Sequence, residues 1–130
     1  MNSFLKAMSA AASGMNAQGF RMRIVSENVS NADTPGYHRK TLSFDNVFDA
    51  EADANRVKIG RVALDGAPMT EKYDPSNPMA DETGYVTLSN VNLMMEMADA
   101  REANRSYEAN LATFRQAREM YSSLLELLKR

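Results

Sequence analysis

Residues 28–37 read NVSNADTPGY, and this stretch decides how the chain is organised. It follows a long segment with helical periodicity and is rich in residues that end helices. Pro35 disfavours the helical conformation at Thr34, so a helix arriving from the N-terminal side has to end before that residue. Residues 34–37 fit a type II turn, with proline in the second place and glycine in the third. With Asn31 available for a left-handed helix end, the stretch predicts a sharp joint after a first helix.

The segment before this joint, residues 2–30, repeats apolar residues every seven positions. Such a heptad pattern is typical of a helix that packs along a partner helix. Gly14 and Gly19 each lower helix stability by about 1 kcal/mol relative to alanine, so this helix is marginal alone in water. The expected seam residues of the first helix are Met1, Phe4, Met8, Ala11, Met15, Gln18, Met22, Val25 and Val29.

The last segment, residues 90–129, repeats the same kind of pattern. Ser89, Asn90 or Asn92 can supply the cap at its N-terminal end. At 1.5 Å per residue this helix is roughly 55–60 Å long, which is more than a chain of this size can cover by itself. The expected seam residues of the last helix are Met97, Ala100, Asn104, Tyr107, Leu111, Phe114, Arg118, Tyr121, Leu125 and Leu128.

The middle of the chain has β character. Residues 56–64 (RVKIGRVAL) favour a strand, with Val57 and Ile59 alternating against basic residues. Asp65 and Gly66 form a typical hairpin turn, so residues 67–73 are expected to return as the second strand. Residues 73–85 are expected to form a loop because they hold two prolines and several turn formers, and residues 85–88 form a short β-like run.

These patterns predict a mainly α fold with a small β-rich insert. The long N- and C-terminal helices pair as a coiled coil, and a short β-hairpin and loop domain lies between them. The expected division is an N-terminal helix of the coiled-coil core (1–30), the joint (31–40), the β and loop insert (41–89) and a C-terminal helix of the core (90–130).

Composition excludes several classes of function. The formal charge of −2 gives no basic surplus for nucleic acid, and the chain has no cysteine for disulfides or thiolate metal sites. No apolar run approaches the length of a membrane span. The N-terminal segment lacks the apolar core of a signal peptide, so we expect it to stay in the mature protein.

The titratable residues do not form a convincing reaction centre. His38 is the single histidine and lies in a polar run, where a solvated surface residue is the expected outcome. The acidic stretch 49–55 begins like a calcium loop, but Ala54 and Gly60 stand where glycine and glutamate are required. Asp81 and Glu82 are adjacent and therefore do not converge as a pair. The sequence predicts no catalytic, cofactor or metal site, and it favours an interaction protein.

The joint also carries a family resemblance. Residues 26–40 (SENVSNADTPGYHRK) resemble the signature of bacterial flagellar basal-body rod proteins. A second stretch, residues 73–110, is similar to the proximal-rod proteins of that family. The residues that match the signature are Asn28, Asn31, Thr34, Pro35, Gly36 and Tyr37.

The resemblance implies a structural subunit of the proximal rod, located in the basal body within the MS ring and periplasm. Such subunits leave the cell through the flagellar type III export apparatus, polymerise helically through their terminal helices and transmit motor torque. The helices are implied to be disordered in the free subunit and to pair on assembly. The implied partners are other rod subunits, including copies of itself, the MS ring and the export gate; no nucleic acid, membrane span, cofactor or small-molecule substrate is implied.

Two features stay open at this level. Export substrates of this kind carry a short F-x-x-x-Φ motif, which Phe44 and Phe48 fit (FDNVF) and residues 4–8 also fit; phenylalanines packed in a core explain the same pattern equally well. A soluble helical adaptor of the export pathway would use the same helices. A peptidoglycan hydrolase would need paired carboxylates in a cleft, which the sequence does not offer.

Overall fold

A computed structural model describes residues 2–130, so Met1 of the predicted seam lies outside the described residues. Along the chain, a small antiparallel β insert lies between two long helices, which confirms the predicted order of helix, insert and helix. Within the described range, neither helix is apolar enough over a sufficient length to cross a membrane. The elements are α1 (Ser3–Ser30), β1 (Lys40–Asp49), β2 (Ala54–Leu64), β3 (Glu71–Tyr73), β4 (Tyr85–Thr87) and α2 (Leu93–Leu128).

Helix α1 ends by a different device from the one predicted. Asn31 has φ −108°, so it is not left-handed, and that prediction is wrong. Its backbone N–H donates to the carbonyl oxygen of Glu27 at 3.1 Å, and its side-chain amide donates to the same oxygen at 2.9 Å. These two bonds satisfy a carbonyl of the last turn, so a left-handed cap is not needed.

The turn that follows is the predicted one. The N–H of Tyr37 donates to the carbonyl oxygen of Thr34 at 3.2 Å, and Gly36 has φ +74°. A side chain at position 36 would be strained, because this region of φ suits glycine. The type II turn predicted from the sequence is therefore confirmed, and so is the cap at Asn92, whose side chain accepts the N–H of Met94 at 3.0 Å.

The hairpin is formed by different strands from those predicted. β1 pairs antiparallel with β2, and the turn lies at residues 50–53, where Asp49 accepts the N–H groups of Glu51 and Ala52. The predicted turn at Asp65 and Gly66 is wrong, because the Asp65 carboxylate accepts the N–H of Ala67 at 2.9 Å and leads into a loop.

A second, smaller sheet accounts for the remaining β residues. The expected return strand over residues 67–73 is reduced to β3, which pairs antiparallel with β4 and not with β2. The short strand predicted near residues 85–88 is confirmed as β4. The rings of Tyr73 and Tyr85, opposite each other in this pair, lie 5.3 Å apart in an edge-to-face arrangement that stabilises it.

The two helices run antiparallel and approach each other closely. Asn28 of α1 binds Glu96 of α2 at the joint end. Gly14, fourteen residues before Asn28, lies against Asn110, fourteen residues after Glu96. The described residues that are buried between the helices and the insert are mostly small. They are Ala11, Ser13, Gly14, Ala17, Ile24, Val25 and Asn28 on α1, and Glu96, Ala103 and Ala117 on α2.

The seam residues predicted for α2 lie beside this contact line. The line follows Glu96, Ala103, Asn110 and Ala117. One predicted row follows each of these residues by one position, and the other precedes Ala103, Asn110 and Ala117 by three. At about 100° per residue, both rows are rotated to the same side of the helix, by about 100° and 60° respectively. They form a flank of α2 next to the α1 contact.

Exposure of the predicted seam residues differs between the two helices. On α1, Ala11 and Val25 are buried and Val29 is exposed, while Phe4, Met8, Met15 and Met22 are half-buried. On α2, Met97, Leu125 and Leu128 are exposed, while Tyr107, Leu111, Phe114 and Tyr121 are half-buried.

Candidate functional site

A buried carboxylate stands at the centre of the joint. Glu96, in the first turn of α2, has no exposed surface, and Asn28, near the end of α1, is 1% exposed. One Glu96 carboxylate oxygen accepts the Nε–H of Arg39, and the other accepts the amide of Asn28 at 3.2 Å. A buried carboxylate is costly unless it is paired and hydrogen-bonded. Here both of its oxygens have a partner.

Asn28 connects α1 to the start of β1. Its amide nitrogen donates to the carbonyl oxygen of Lys40 at 2.9 Å, in addition to Glu96. Its carbonyl oxygen accepts the backbone N–H of Lys40 at 2.9 Å and the hydroxyl of Tyr37 at 2.9 Å. An asparagine side chain offers two donors and two acceptor sites, and all four are used here. Only glutamine offers the same donors and acceptors, and its side chain is one methylene longer, which explains why position 28 carries asparagine.

Arg39 gathers three carboxylates from two parts of the chain. In addition to Glu96, its guanidinium donates to Asp99 at 2.8 Å on α2 and to Asp65 at 3.3 Å just after β2. Burial by itself lowers the pKa of Arg39, but the hydrogen bond and the charge of Glu96 outweigh this effect and the pKa is raised. Arg21 on α1 extends the network by binding Asp99 at 3.1 Å. The cluster therefore joins α1, β1, the end of β2 and α2.

Residues 87–90 close the joint from the other side. Asn90 accepts the backbone N–H of Arg39 at 2.6 Å and donates to the carbonyl oxygens of Asp65 and Ala67 at 3.0 and 3.1 Å. The N–H of Gly36 donates to the carbonyl oxygen of Thr87 at 2.9 Å. The type II turn is thus attached to the segment that leads into α2, and the direction of the insert is set relative to both helices.

The polar groups around the joint shift one another's pKa. Burial raises the pKa of the Tyr37 hydroxyl, and the nearby carboxylate of Glu27 raises it further. The hydrogen bond to Glu27 raises the pKa of Lys40, which forms an ion pair with it. Both groups therefore keep their protons at neutral pH. The joint presents fixed, paired charges.

The hydrogen bonds and ion pairs of this network hold elements of the fold together. Glu96 is closed to solvent, and each of its two carboxylate oxygens accepts a hydrogen bond from within the chain. Within residues 2–130, no group of three or more histidine, cysteine, aspartate or glutamate side chains is arranged to hold a metal ion. The network fixes the relative placement of two helices and two strands, and we name Asn28, Arg39, Asn90 and Glu96 the polar joint.

The structure brings the rod-signature residues together and places the candidate export residues elsewhere. Thr34 donates its hydroxyl to the Asn31 side chain at 3.1 Å, Pro35 and Gly36 form the turn, and Tyr37 binds Asn28. The proposed export residues lie in β1, away from the joint: Phe44 is half-buried opposite Ile59, and Phe48 is 60% exposed.

Sequence reasoning missed the role of Arg39 and Glu96. Neither residue belongs to the seam, signature or export residues predicted from the sequence. One signal could have found Glu96, since it stands seven residues before Ala103 in the small-residue row that continues through Asn110 and Ala117. A carboxylate in such a row predicts a buried partner.

Comparisons with known proteins match both ends of the chain. Residues 8–38 match the family model described as "Flagella basal body rod protein", and residues 82–127 match "Flagellar basal body rod FlgEFG protein C-terminal". The two matched segments contain the polar joint except for Arg39, which follows the first match by one residue.

Proteins that match over nearly the whole chain are also flagellar rod proteins. The chain is 48% identical to the flagellar basal-body rod protein FlgC of Agrobacterium fabrum, over 92% of this chain and 91% of the relative. It is 36% identical to FlgC of Aquifex aeolicus, over 99% and 100%, and 33% identical to FlgC of Buchnera aphidicola, over 96% and 98%. The chain therefore belongs to the FlgC family of flagellar basal-body rod proteins and is a structural subunit of the rod in the basal body.

Proposed function

We propose that the two long helices of this subunit pair with each other as a coiled coil, and that the subunit polymerises helically through the apolar side chains that its own fold leaves uncovered. The observation that carries the proposal is the exposure of large apolar residues on α2, where Met94 is 81% exposed and Leu128 is 74% exposed. The other exposed large apolar residues of α2 are Leu93, Met95, Met97, Met120, Leu124, Leu125 and Leu127.

The small size of the buried core supports the same proposal. Apart from Ile24, Val25 and Val86, the buried apolar residues described are alanines. Burying one large apolar side chain contributes about 1.5–3 kcal/mol, and an alanine contributes much less. The free subunit is therefore weakly stabilised, and neighbours that cover the exposed residues of α2 add the stability that the chain lacks. This fits helices that become fully ordered only on assembly.

The polar joint supplies the geometry of the assembly. We expect residues 1–30 and 90–130 to form the helical core, residues 31–40 to act as the joint and residues 41–89 to project as the insert. A layer of long packed helices is stiff, and stiffness is the property that torque transmission needs. The partners we propose are other rod subunits, including copies of this chain, with the MS ring and the export gate as further contacts.

Export by the flagellar type III apparatus fits the placement of the candidate motif. Phe44 and Phe48 both lie in β1, and the residues of the second candidate, 4–8, lie in α1. Either motif is held in regular structure once the chain folds, so we propose that it is read while the chain is unfolded. The weak core keeps the chain easy to unfold for this step.

We infer a structural role without catalysis. The relatives are rod proteins by name, and the buried carboxylate of the joint is bound to Arg39 and Asn28. The alternative is a soluble helical adaptor of the export pathway, which would use the same exposed residues of α2. An adaptor stays in a soluble complex, whereas a rod subunit is retained in purified basal bodies.

Replacing both Leu125 and Leu128 by aspartate should remove this chain from the rod. Two charges on this flank of α2 cannot be buried against a neighbour without a large desolvation cost. The fold of the free chain leaves Leu125 and Leu128 exposed, so we expect it to be retained. The measurement is the amount of the chain in purified basal bodies, together with swimming in soft agar. We expect at least a tenfold loss of incorporation and no swimming.

Ala112→Asp is the control, because it places one such charge at an exposed position of the same helix outside the flank. We expect incorporation close to that of the unmodified chain. Normal swimming by the double variant would contradict assembly through this flank. Absence of even the unmodified chain from basal bodies, with a stable complex in the soluble fraction, would favour the adaptor.

A further inference from the structure

A break in the ladder divides the hairpin of β1 and β2 into two parts. The register shifts at Ser43, which faces two residues of β2, Gly60 and Arg61. Such a β-bulge interrupts the hydrogen bonds between the strands and bends them. We name residues 40–42 and 62–64 the base of the hairpin, and residues 44–59 its distal part.

The bulge is held by a side chain. The backbone N–H of Arg61 donates to the hydroxyl oxygen of Ser43 at 3.0 Å, and Ser43 is exposed. A Cβ at Gly60 would lie 2.5 Å from that hydroxyl oxygen and 3.0 Å from the Ser43 carbonyl oxygen, so glycine is needed for this close approach. The break therefore lies at the surface, where the two parts can bend relative to each other.

The base is fixed to the polar joint. The backbone N–H of Lys40 donates to Asn28 at 2.9 Å, and the Lys40 carbonyl oxygen accepts the Asn28 amide at the same distance. The N–H of Asp65, which follows β2, donates to the carbonyl oxygen of Arg39 at 2.7 Å. These bonds hold both strands of the base beside the ends of the two helices.

The distal part is attached more weakly, and only to α1. The N–H of Val57 donates to the hydroxyl oxygen of Ser13 at 3.0 Å. Lys6 forms an ion pair with Asp53 at 2.6 Å, but their side chains are 37% and 52% exposed, and ion pairs at the surface contribute little. Ala54 is the one buried residue of the distal part.

An open cleft of about 550 Å³ separates the distal part from α2. It is lined by three alanines of α1, by Phe44 and Val57 of the hairpin, and by Asn110 and Thr113 of α2. In the described chain, no Cα atom of β1 or β2 lies within 8 Å of a Cα atom of α2. Protein interiors are normally close-packed, so this cleft is unfilled space between elements of one chain.

We propose that the distal part of the hairpin is a strap, which pivots at the bulge and closes this cleft against α2. Closure brings Phe44 and Val57 over the alanines of α1 and removes apolar surface from water. The bond between Val57 and Ser13 holds the strap open, since the strap reaches α2 only by moving across α1. The closed strap contacts both helices far from the polar joint. This motion belongs to the single chain and does not depend on the proposed function.

A cysteine on each wall of the cleft tests the closure. The chain has no cysteine of its own, and a disulfide needs Cα atoms about 4.4–6.8 Å apart. Asn46 and Thr113 line opposite walls and lie beyond this reach in the open position. In the dilute, purified chain with Asn46→Cys and Thr113→Cys, we expect mild oxidation to form an intramolecular disulfide, which a gel without reductant measures over time.

Val62→Cys with Thr113→Cys is the matched control. Val62 is an exposed residue of the base and is also beyond the reach of α2. Because the base is fixed to the polar joint, this pair can join only when the chain unfolds. We expect it to form a disulfide at least tenfold more slowly than the pair across the cleft. Equal rates for the two pairs, or no intramolecular disulfide across the cleft, would overturn the proposal.

Removing the Ser13 hydroxyl should speed the closure. Ser13→Ala deletes the acceptor of the Val57 N–H, so we expect the pair across the cleft to join at least threefold faster, with no such gain for the Val62 pair. Ser9→Ala makes the same exchange one turn earlier on α1 and should leave the rate unchanged. Equal rates in the two alanine variants would show that Ser13 does not hold the strap open.

Discussion

Arg39→Met should unfold much of the free chain at room temperature. The substitution leaves Glu96 buried with only the amide of Asn28 as a partner, and it also removes the cation that Asp65 and Asp99 share. Breaking a buried ion pair by removing one partner costs about 3–5 kcal/mol. A domain commonly has about 5–15 kcal/mol of stability, and this one buries mainly alanine. Circular dichroism during urea unfolding measures the loss, which we expect to appear as a much lower midpoint and reduced helix content.

Two further variants separate the charge pair from general damage. Arg101→Met removes an arginine from an exposed position of α2 and should leave the midpoint nearly unchanged. Combining Arg39→Met with Glu96→Met replaces the pair by apolar groups of similar volume, which often restores stability. We expect the double variant to be more stable than Arg39→Met alone. A midpoint for Arg39→Met equal to that of the unmodified chain would show that the polar joint does not hold the fold.

Gly14→Leu should separate the two helices. The added side chain would occupy the space of Asn110, whose atoms lie within 2.8 Å of even the first added carbon. Overpacking of this kind typically costs about 1–3 kcal/mol, and the cost here falls at the higher end because neighbouring Ala11, Ala17 and Ala103 also lose contact. Urea unfolding of the purified chain measures it.

A smaller change with a compensating partner tests the register of the helices. Gly14→Ala alone should destabilise the chain, since its Cβ contacts Asn110. In a chain that also carries Asn110→Ala the clash is absent, and alanine should then gain about 1 kcal/mol over glycine in the helix. Equal effects of Gly14→Ala in both backgrounds would place Asn110 away from Gly14 and contradict the antiparallel register.

Local chemistry in the sequence is enough to predict the helices and the turn. The heptad repeats of apolar residues reveal both helices, and Pro35 and Gly36 determine the type II turn because each restricts the backbone within its own dipeptide. The sequence does not predict which face of each helix packs against the other. The large apolar residues suggested one seam, whereas the closest packing uses Gly14, Ala103 and Ala117, since small residues let two helices approach.

The polar joint and the hairpin depend on contacts between distant residues. Arg39 and Glu96 are 57 positions apart, and neither reveals in the sequence that the other will be its partner. Asp65 and Gly66 look like a hairpin turn, but Arg39 and Asn90 bind Asp65 and hold this segment as a loop. Long-range pairing of this kind overrides the local preference for a turn. Asn31 departs from the predicted left-handed cap for a local reason. Its side chain and its backbone N–H both donate to the carbonyl oxygen of Glu27.

The central claim, that assembly covers the residues of α2 that the single chain leaves exposed, can be tested with the methionines of the chain. Met94, Met97 and Met120 are exposed on α2, and Met79 is 64% exposed in the loop between β3 and β4. Hydrogen peroxide converts an accessible thioether to the sulfoxide, which mass spectrometry quantifies residue by residue. In the free chain we expect all four to react. In intact basal bodies we expect Met94, Met97 and Met120 to react at least tenfold more slowly, with Met79 still reactive. Equal reaction rates of the α2 methionines in the free chain and in basal bodies would contradict the claim.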